Sequence, residues 1–245
     1  EPVLMATDGG TLYLGNESGT SDSGKAWERL QLVRTLSNEL AGHLHSLPDD
    51  VWRDADRFGS GCDRWKVADI VTHLTLDAIQ QTLAVSRAIK GNTSSPIGYS
   101  HETPESRIQA VVTMRNTVHE DLFPEFNTTC GQLNSLLATL KRSEYDTAVW
   151  HPAGAIPVAR LIEDRAVELA VHGWDIRYGM DTSAKISKTA LPFLKEWMGR
   201  RFKVGFRNAD AVSSPVTYRF LLDDTVGEGY DLHIGPGDVT FGPSG

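Results

Sequence analysis

The sequence predicts a mainly α-helical protein: a four-helix bundle followed by a small C-terminal α+β unit. Apolar residues recur at three- and four-residue steps over long segments, and prolines or glycines interrupt these segments. Alternating apolar and polar residues, typical of strands, appear only near the C-terminus. We therefore expect a flexible arm over residues 1–24, a helical bundle over residues 25–180 and an α+β domain over residues 181–245.

Each helix of the predicted bundle is defined by its apolar period and by the residue that ends it. Pro48 and Pro124 are expected to end the first and third helices, and Gly179 to cap the last one. The Thr103-Pro104 pair resembles an N-cap followed by proline at the first helical position. Four long helices are predicted over residues 27–47, 66–90, 104–122 and 157–178, and one shorter helix over residues 131–142.

The C-terminal unit is predicted from a change of period. One more helix is expected over residues 186–202, followed by three short strands near residues 216–221, 230–234 and 238–241. Glycine-rich turns separate these strands. Three strands make a thin sheet, which leaves open whether the unit is complete.

Composition excludes several classes of partner. The net charge of -8 and the pI near 5.5 argue against a surface that neutralises phosphates, so we expect no nucleic acid. No apolar run reaches the roughly 18 residues that cross a bilayer, and no signal peptide is recognisable, which predicts a cytoplasmic protein without membrane contact. The two cysteines, Cys62 and Cys130, cannot build a disulfide framework.

The segment from Arg165 to Asp175 carries the strongest chemical signal. Within it Glu168, His172 and Asp175 lie one helical turn apart on one face. Apolar residues share this face, so an ion pair, a hydrogen-bond network or a metal must satisfy the polar groups. His73, in another apolar-periodic segment, could add a second imidazole from a neighbouring helix. Two imidazoles and one carboxylate would leave a metal with an open position, which favours catalysis.

Two further residues of this helix are expected to support such a site. Asp175 is well placed to accept the second N–H of a ligating imidazole, which would fix the tautomer of that ring. Arg165 shares the inward side with Glu168 and His172.

Three motifs together carry a resemblance to a known family. They are Cys-x-x-Trp at 62–65, Val-x-Asp-x-Val-x-His-Leu at 67–74 and Arg-x-x-Glu-x-x-x-His-x-x-Asp at 165–175. This combination resembles the mycothiol-dependent maleylpyruvate isomerase family of the DinB-like helical-bundle superfamily. Members often add an α+β domain similar to sterol carrier proteins. Between Cys62 and Trp65 the family usually has Pro-Gly, so the Asp-Arg found here predicts a differently shaped loop.

The resemblance implies specific ligands and partners. It implies a divalent zinc ion bound by His73, Glu168 and His172, with mycothiol or a similar thiol as cosubstrate. It also implies an arginine of the C-terminal domain that holds a substrate carboxylate, for which Arg219 is the candidate. A thiol coordinated to such an ion would be ionised and nucleophilic.

The resulting hypothesis is a zinc enzyme that uses the thiol for S-transfer to, or cis–trans isomerisation of, a small electrophile. Two alternatives stay open. A metal-dependent hydrolase or lyase would use zinc-bound water and be active without a thiol. A non-catalytic metal- or ligand-binding module would have no thiol affinity. The expected partners are small molecules, and the sequence is compatible with a monomer or a homodimer.

Overall fold

The computed structural model describes residues 24–96, 98, 103–152, 154–205, 212–221 and 229–245. The predicted flexible arm, apart from Gly24, lies outside these residues. The described part of the chain divides into two compact units, the first ending at Ala190 and the second covering Leu191–Gly245. Each unit has its own core.

The first unit is built around four long helices. These are α1 (Ala26–His45), α3 (Val67–Ala88), α5 (Leu122–Thr139) and α6 (Val158–Met180). Helices α1 and α3 each pack against both α5 and α6, which closes a four-helix ring. The short α2 (Asp50–Arg53) follows α1, and α4 (Pro104–Val118) packs on the outside against α3 and α5. The prediction of a mainly α-helical bundle is therefore confirmed.

The bundle core is formed by the apolar stripes that the sequence period predicted. Fully burying one aliphatic side chain stabilises the fold by about 1.5–3 kcal/mol. The buried residues of the four helices, all at most 3% exposed, include Leu30, Val33, Leu40, Leu44, Ile70, Leu74, Phe126, Leu133, Leu137, Leu161, Ile162 and Ile176.

Two predicted helix ends in the middle of the chain are wrong. Helix α4 ends at Val118, before His119, whose φ of 48° lies in the left-handed region. Pro124 ends no helix, because it lies in the first turn of α5, where its missing N–H has no intrahelical partner to lose. The helix expected over residues 131–142 therefore begins already at Leu122.

Gly179 is not a cap. Helix α6 continues through Met180, and the segment at Gly59 and Ser60 lies directly against the last turn. A Cβ on Gly179 would stand 2.1 Å from the backbone oxygen of Gly59, so this position needs glycine for close approach.

Between α5 and α6 the chain makes a short antiparallel pair, β1 (Ala148–Val149) and β2 (Ile156–Pro157). This pair was not anticipated from the period of the sequence. It brings the chain to the N-terminus of α6, where Pro157 is the N-cap residue.

The second unit contains one helix and one antiparallel sheet. Helix α7 (Leu191–Gly205) begins five residues later than predicted, and the strands β3 (Val216–Leu221), β4 (Gly229–Gly235) and β5 (Asp238–Pro243) follow in the order β3-β4-β5. The core of this unit consists of buried strand residues with partly buried aromatic and aliphatic side chains packed against them, namely Leu232, Ile234, Val239, Phe202, Val212, Phe220 and Phe241. Among the described helices of the whole chain, none is both long and apolar enough to cross a membrane.

Candidate metal centre

Helices α3 and α6 bring the three predicted ligands together. His73 lies on α3, and Glu168 and His172 lie four residues apart on α6, so both α6 side chains leave the helix on the same face. One ligand atom from each residue lies within 4.8 Å of the other two. This proximity is what a single ion shared by the three side chains requires.

One carboxylate oxygen lies at the centre of the cluster. Glu168 Oε2 is 3.1 Å from His73 Nε2 and 3.2 Å from His172 Nε2. The two imidazole rings are nearly perpendicular, with centroids 5.1 Å apart. The side chains of His73 and Glu168 are 12% exposed and that of His172 is 20% exposed, so the cluster is largely buried but reachable from solvent.

Asp175 forms a hydrogen bond that orients the ring of His172. Its Oδ2 accepts a hydrogen bond of 2.9 Å from His172 Nδ1. With the proton held on Nδ1, the lone pair of a neutral His172 lies on Nε2, the atom that points to Glu168. The backbone oxygen of Asp175 in turn accepts the N–H of Gly61 at 2.8 Å.

The pKa values of His172 and Glu168 are shifted so that the imidazole is protonated and the carboxylate is ionised. Burial disfavours the charged form of His172, but its hydrogen bonds to Asp175 and Glu168 outweigh burial and raise its pKa to about 10. Burial also opposes ionisation of Glu168, yet the hydrogen bonds and charges of His172 and His73 keep its pKa well below the ordinary value. An ionised carboxylate and a protonated imidazole therefore share the position at which a cation would be bound.

Trp65 packs against both imidazoles. Its ring meets His73 edge-on at 5.0 Å and stacks on His172 at 6.2 Å with an interplanar angle of 21°. The loop that carries Trp65 is held by Ser60, whose hydroxyl donates to the backbone oxygen of Trp65 at 2.6 Å and accepts the N–H of Cys62 at 3.0 Å. The tryptophan of the Cys-x-x-Trp motif thus restricts the rotation of both imidazole rings.

Arg165 lies three residues before Glu168 on α6 and is buried. It is 1% exposed, and its guanidinium donates to the backbone oxygen of Leu74 at 3.0 Å and to Cys130 Sγ at 3.1 Å. It also forms an ion pair with Asp77 at 3.7 Å. Arg165 of α6 therefore links this helix to α3 through Leu74 and Asp77 and to α5 through Cys130.

Two charged residues near the cluster were missed by the sequence analysis. Asp77 lies one turn after His73 on α3, and burial raises its pKa despite the neighbouring cations. Arg107 of α4 is half-buried, and burial lowers its pKa to about 10 against the opposing charge of Glu168. The four-residue spacing of His73 and Asp77 was a readable signal, whereas nothing in the sequence placed α4 beside Glu168.

Arg219 of the second unit is engaged with a carboxylate of its own sheet. Its guanidinium donates two hydrogen bonds of 2.8 Å to Asp231, which lies opposite it on β4. Ser244 donates to the same carboxylate at 2.8 Å. The fork of Arg219 that would hold a substrate carboxylate is thus directed to Asp231.

The donor set suits a transition metal. Two imidazole nitrogens and one carboxylate oxygen match the ligands of catalytic zinc sites, which keep a fourth position for water or substrate. The hydrogen bond from His172 to Asp175 is the contact that such sites use to orient a ligating imidazole. His73, Glu168 and His172 therefore fit a metal ion.

Comparisons with known proteins place the helical unit in a family and match its fold. A family model described as the mycothiol maleylpyruvate isomerase N-terminal domain matches residues 33–177. The fold resembles a crystal structure of the mycothiol-dependent maleylpyruvate isomerase, with a TM-score of 0.58 and 17% identity over 73% of this chain and 71% of that chain. It also resembles a histidine-to-alanine mutant of that isomerase, with the same TM-score and coverage and 16% identity.

The two structures are too distant in sequence to show more than a shared fold, and no curated protein sequence matches this chain significantly. The family model, in contrast, covers more than half of the chain and spans the segments that carry His73, Glu168 and His172. This chain belongs to the family of the mycothiol maleylpyruvate isomerase N-terminal domain.

Proposed function

We propose that this protein is a zinc-dependent enzyme that activates a small thiol, mycothiol or a close analogue. The thiol would serve S-transfer to, or cis–trans isomerisation of, a small electrophile. The observation that carries the proposal is the convergence of one imidazole nitrogen each from His73 and His172 and one oxygen of Glu168 within 4.8 Å of one another. Family membership favours a thiol cosubstrate, because the description of the matching family model names mycothiol and a maleylpyruvate isomerase.

His73, Glu168 and His172 would hold the zinc ion through two nitrogens and one oxygen. When bound, zinc would act as a Lewis acid that lowers the pKa of a coordinated thiol, so that the thiolate is available at neutral pH. The single carboxylate and the two neutral imidazoles leave one net positive charge on the loaded site, which favours an anionic sulfur in the open position.

The surrounding residues would orient the two imidazole ligands and supply a positive charge near the site. Asp175 keeps the proton of His172 on Nδ1, and Trp65 restricts both imidazole rings. The low exposure of the ligands limits access of water, which strengthens the electrostatic interactions inside the site. Arg107 is a cation in the field of Glu168 and is a candidate to hold the carboxylate of an anionic electrophile.

The two reactions share their first step. The thiolate adds to a carbon of the electrophilic double bond, and the π electrons move to the conjugated carbonyl. In isomerisation the former double bond rotates as a single bond, the carbonyl re-forms and the thiolate leaves, so no atom is gained or lost. In S-transfer by addition the same adduct takes up a proton from water and is released. The geometry of the ligands serves both reactions.

The test is an assay of the zinc-loaded protein with mycothiol and maleylpyruvate, and in parallel with mycothiol and an α,β-unsaturated ketone such as 4-phenyl-3-buten-2-one, to which the thiolate adds. We expect at least one thiol-dependent reaction in the wild type and none in His172→Ala. His233→Ala is the matched control, because His233 is an exposed histidine bonded to Thr217 on the sheet of the second unit. Hydrolysis or elimination that proceeds without any thiol would overturn the proposal in favour of zinc-bound water.

A further inference from the structure

The loop that precedes α3 contacts α6 at Asp175. The N–H of Gly61 donates to the backbone oxygen of Asp175 at 2.8 Å. The carboxylate of the same residue accepts the Nδ1 proton of His172 at 2.9 Å, and the Asp175 side chain is only 9% exposed. Gly61 therefore lies directly against the residue that orients a candidate zinc ligand.

The glycine at position 61 is required by this contact and not by its own backbone. Its φ lies outside the left-handed region, so a residue with a side chain could adopt the same backbone conformation. A Cβ at this position would, however, stand 3.0 Å from Oδ1 and 3.2 Å from Cα of Asp175. Non-bonded carbon atoms pack best at about 3.5–4.0 Å, so the added methyl group would press on Asp175.

The carboxylate would transmit this pressure to His172. The Cα of Asp175 is held in the backbone of α6, whereas the carboxylate can turn about its side-chain bonds. Oδ1, which the new Cβ would crowd, and Oδ2, which accepts from His172 Nδ1, belong to one planar group and shift together. A hydrogen bond weakens as its length and angle leave the optimum, so displacement of Oδ2 would loosen the imidazole ring.

We propose that Gly61 is a positioning residue of the metal centre, which acts through the carboxylate of Asp175 on the orientation of His172. The inference rests on the proposed function, because the orientation of His172 matters there as that of a zinc ligand. It adds a residue from outside α3 and α6 to the site, and it gives the loop before α3 a role in metal affinity.

Gly61→Ala is the direct test, and Gly59→Ala is the matched control. Both glycines lie in the same loop with φ outside the left-handed region, but a Cβ on Gly59 would meet nothing within 4 Å among the described residues beyond its chain neighbours. We expect the control to bind zinc like the wild type. Gly61→Ala should bind it about three- to tenfold more weakly, which is part of the effect of losing a group that orients a ligating imidazole. Competition with a chromophoric chelator measures both affinities.

The Nδ1 proton of His172 reports on the ring itself and not on the fold. In the zinc-loaded protein with isotope-labelled histidine, this proton should give a nuclear magnetic resonance signal that is protected from exchange with water. Its loss in Asp175→Ala identifies it. We expect Gly59→Ala to keep the signal and Gly61→Ala to lose it to exchange, because the hydrogen bond to Oδ2 is loosened.

The double variant of Gly61→Ala with Asp175→Ala tests the route of the effect. Without the carboxylate the crowded oxygen is absent, so Gly61→Ala should reduce zinc affinity less than it does in the wild-type background. The contact with the Asp175 Cα is present in both backgrounds and cancels from the comparison. An equal loss in both backgrounds would overturn the action through Asp175.

The remaining outcomes separate this proposal from the proposed function. Zinc affinity and a His172 signal in Gly61→Ala that match those of Gly59→Ala would overturn the role of Gly61. Loss of the helical circular dichroism of Gly61→Ala would overturn it as well, because Gly61 would then serve the fold and not the site. Absence of zinc from the wild type would overturn the proposed function instead, and the His172 signal of the metal-free variants would then decide on Gly61.

Discussion

Two clusters of charged side chains in this protein are built in opposite ways. In the second unit, Arg219 and Asp231 face each other across β3 and β4 and form two hydrogen bonds of 2.8 Å, so each donor has its own acceptor. In the first unit, His73 and His172 both point an Nε2 atom at one oxygen of Glu168. The guanidinium of Arg219 meets both oxygens of Asp231, whereas in the helical cluster two imidazole nitrogens share a single carboxylate oxygen.

The difference separates a structural ion pair from a candidate binding site. Bidentate contact with Arg219 and a hydrogen bond from Ser244 lower the pKa of Asp231 to about 2, and nothing further is required to satisfy that carboxylate. Glu168 reaches a low pKa only while imidazoles beside it carry or donate protons. A cation that replaces these protons would satisfy all three residues at once, which is the physical argument for a metal.

The strongest test of this contrast is to remove one ligand of the helical cluster. We expect His73→Ala or His172→Ala to lose stoichiometric zinc while the bundle stays folded, because neither side chain belongs to the apolar core. The measurement is elemental analysis together with circular dichroism of the purified variants, with His233→Ala as control. Retention of stoichiometric zinc in either variant would disprove the assignment of that ligand.

The pH dependence of metal affinity is the second test. With a pKa of about 10, the metal-free His172 is protonated at neutral pH, and an incoming ion must displace that proton. Zinc affinity should therefore rise about tenfold per pH unit between about pH 7 and 9, and level off above the pKa of His172. Competition with a chromophoric chelator gives the slope, and calorimetry in buffers of different ionisation enthalpy should count about one proton released.

The same pKa predicts the stability of the metal-free protein. The folded-state pKa of His172 is raised from 6.5 to about 10, so its contribution is complete below about pH 6.5 and is lost as the pH rises towards 10. In the affinity test, a zinc affinity that stays constant between about pH 7 and 9 would show that no proton has to leave His172 when the metal binds.

Substitution of Asp175 should reduce zinc affinity less than loss of a ligand does, and by an amount that depends on the residue introduced. Loss of the carboxylate in Asp175→Ala should weaken zinc binding by about 10- to 100-fold, the usual effect of removing a group that orients a ligating imidazole. Asp175→Asn should fall between this variant and the wild type, because its amide oxygen can still accept the Nδ1 proton. Asp181→Ala, at the exposed end of the same helix, is the control. Equal affinity in Asp175→Ala and the control would remove Asp175 from the site.

The sequence predicted the parts of this structure that depend on local periodicity. The apolar stripes defined the bundle helices, and the four-residue spacing put Glu168 and His172 on one face of α6. The contact between Asp175 and His172 followed from the same spacing. That these residues bind zinc stays a prediction, because spacing alone is also compatible with a hydrogen-bond network.

The features that the sequence did not predict depend on how helices meet. The contacts of Trp65 with both imidazoles and the position of Arg107 near Glu168 arise from packing between elements, which a one-dimensional period does not contain. The role of Gly179 is visible only once the chain at Gly59 lies against α6. Pro124 was misassigned because proline is equally compatible with the end of one helix and the first turn of the next.

Arg219→Ala should have the smallest effect on the candidate site. Because Arg219 is bonded to Asp231 within its own sheet, we expect zinc affinity to stay within about twofold of the wild type, as for other exposed ion pairs. The variant should instead alter acid stability. The pKa of Asp231 is lowered from 3.8 to about 2, so its contribution is present above pH 3.8 and is lost as the pH falls towards 2.

Removing Arg219 should shrink that acid-dependent contribution, which thermal unfolding of the intact protein at pH 3 to 6 would measure, since the pKa of Asp231 returns towards 3.8. Arg219→Lys, which keeps the charge but not the fork, should recover only part of it. Loss of thiol-dependent turnover in Arg219→Ala, with zinc content and thermal stability intact, would contradict the description of Arg219 and Asp231 as a purely structural ion pair. Arg219 would then hold a substrate carboxylate, as the resemblance to the isomerases implies, and its bond to Asp231 would be the resting arrangement of a catalytic arginine.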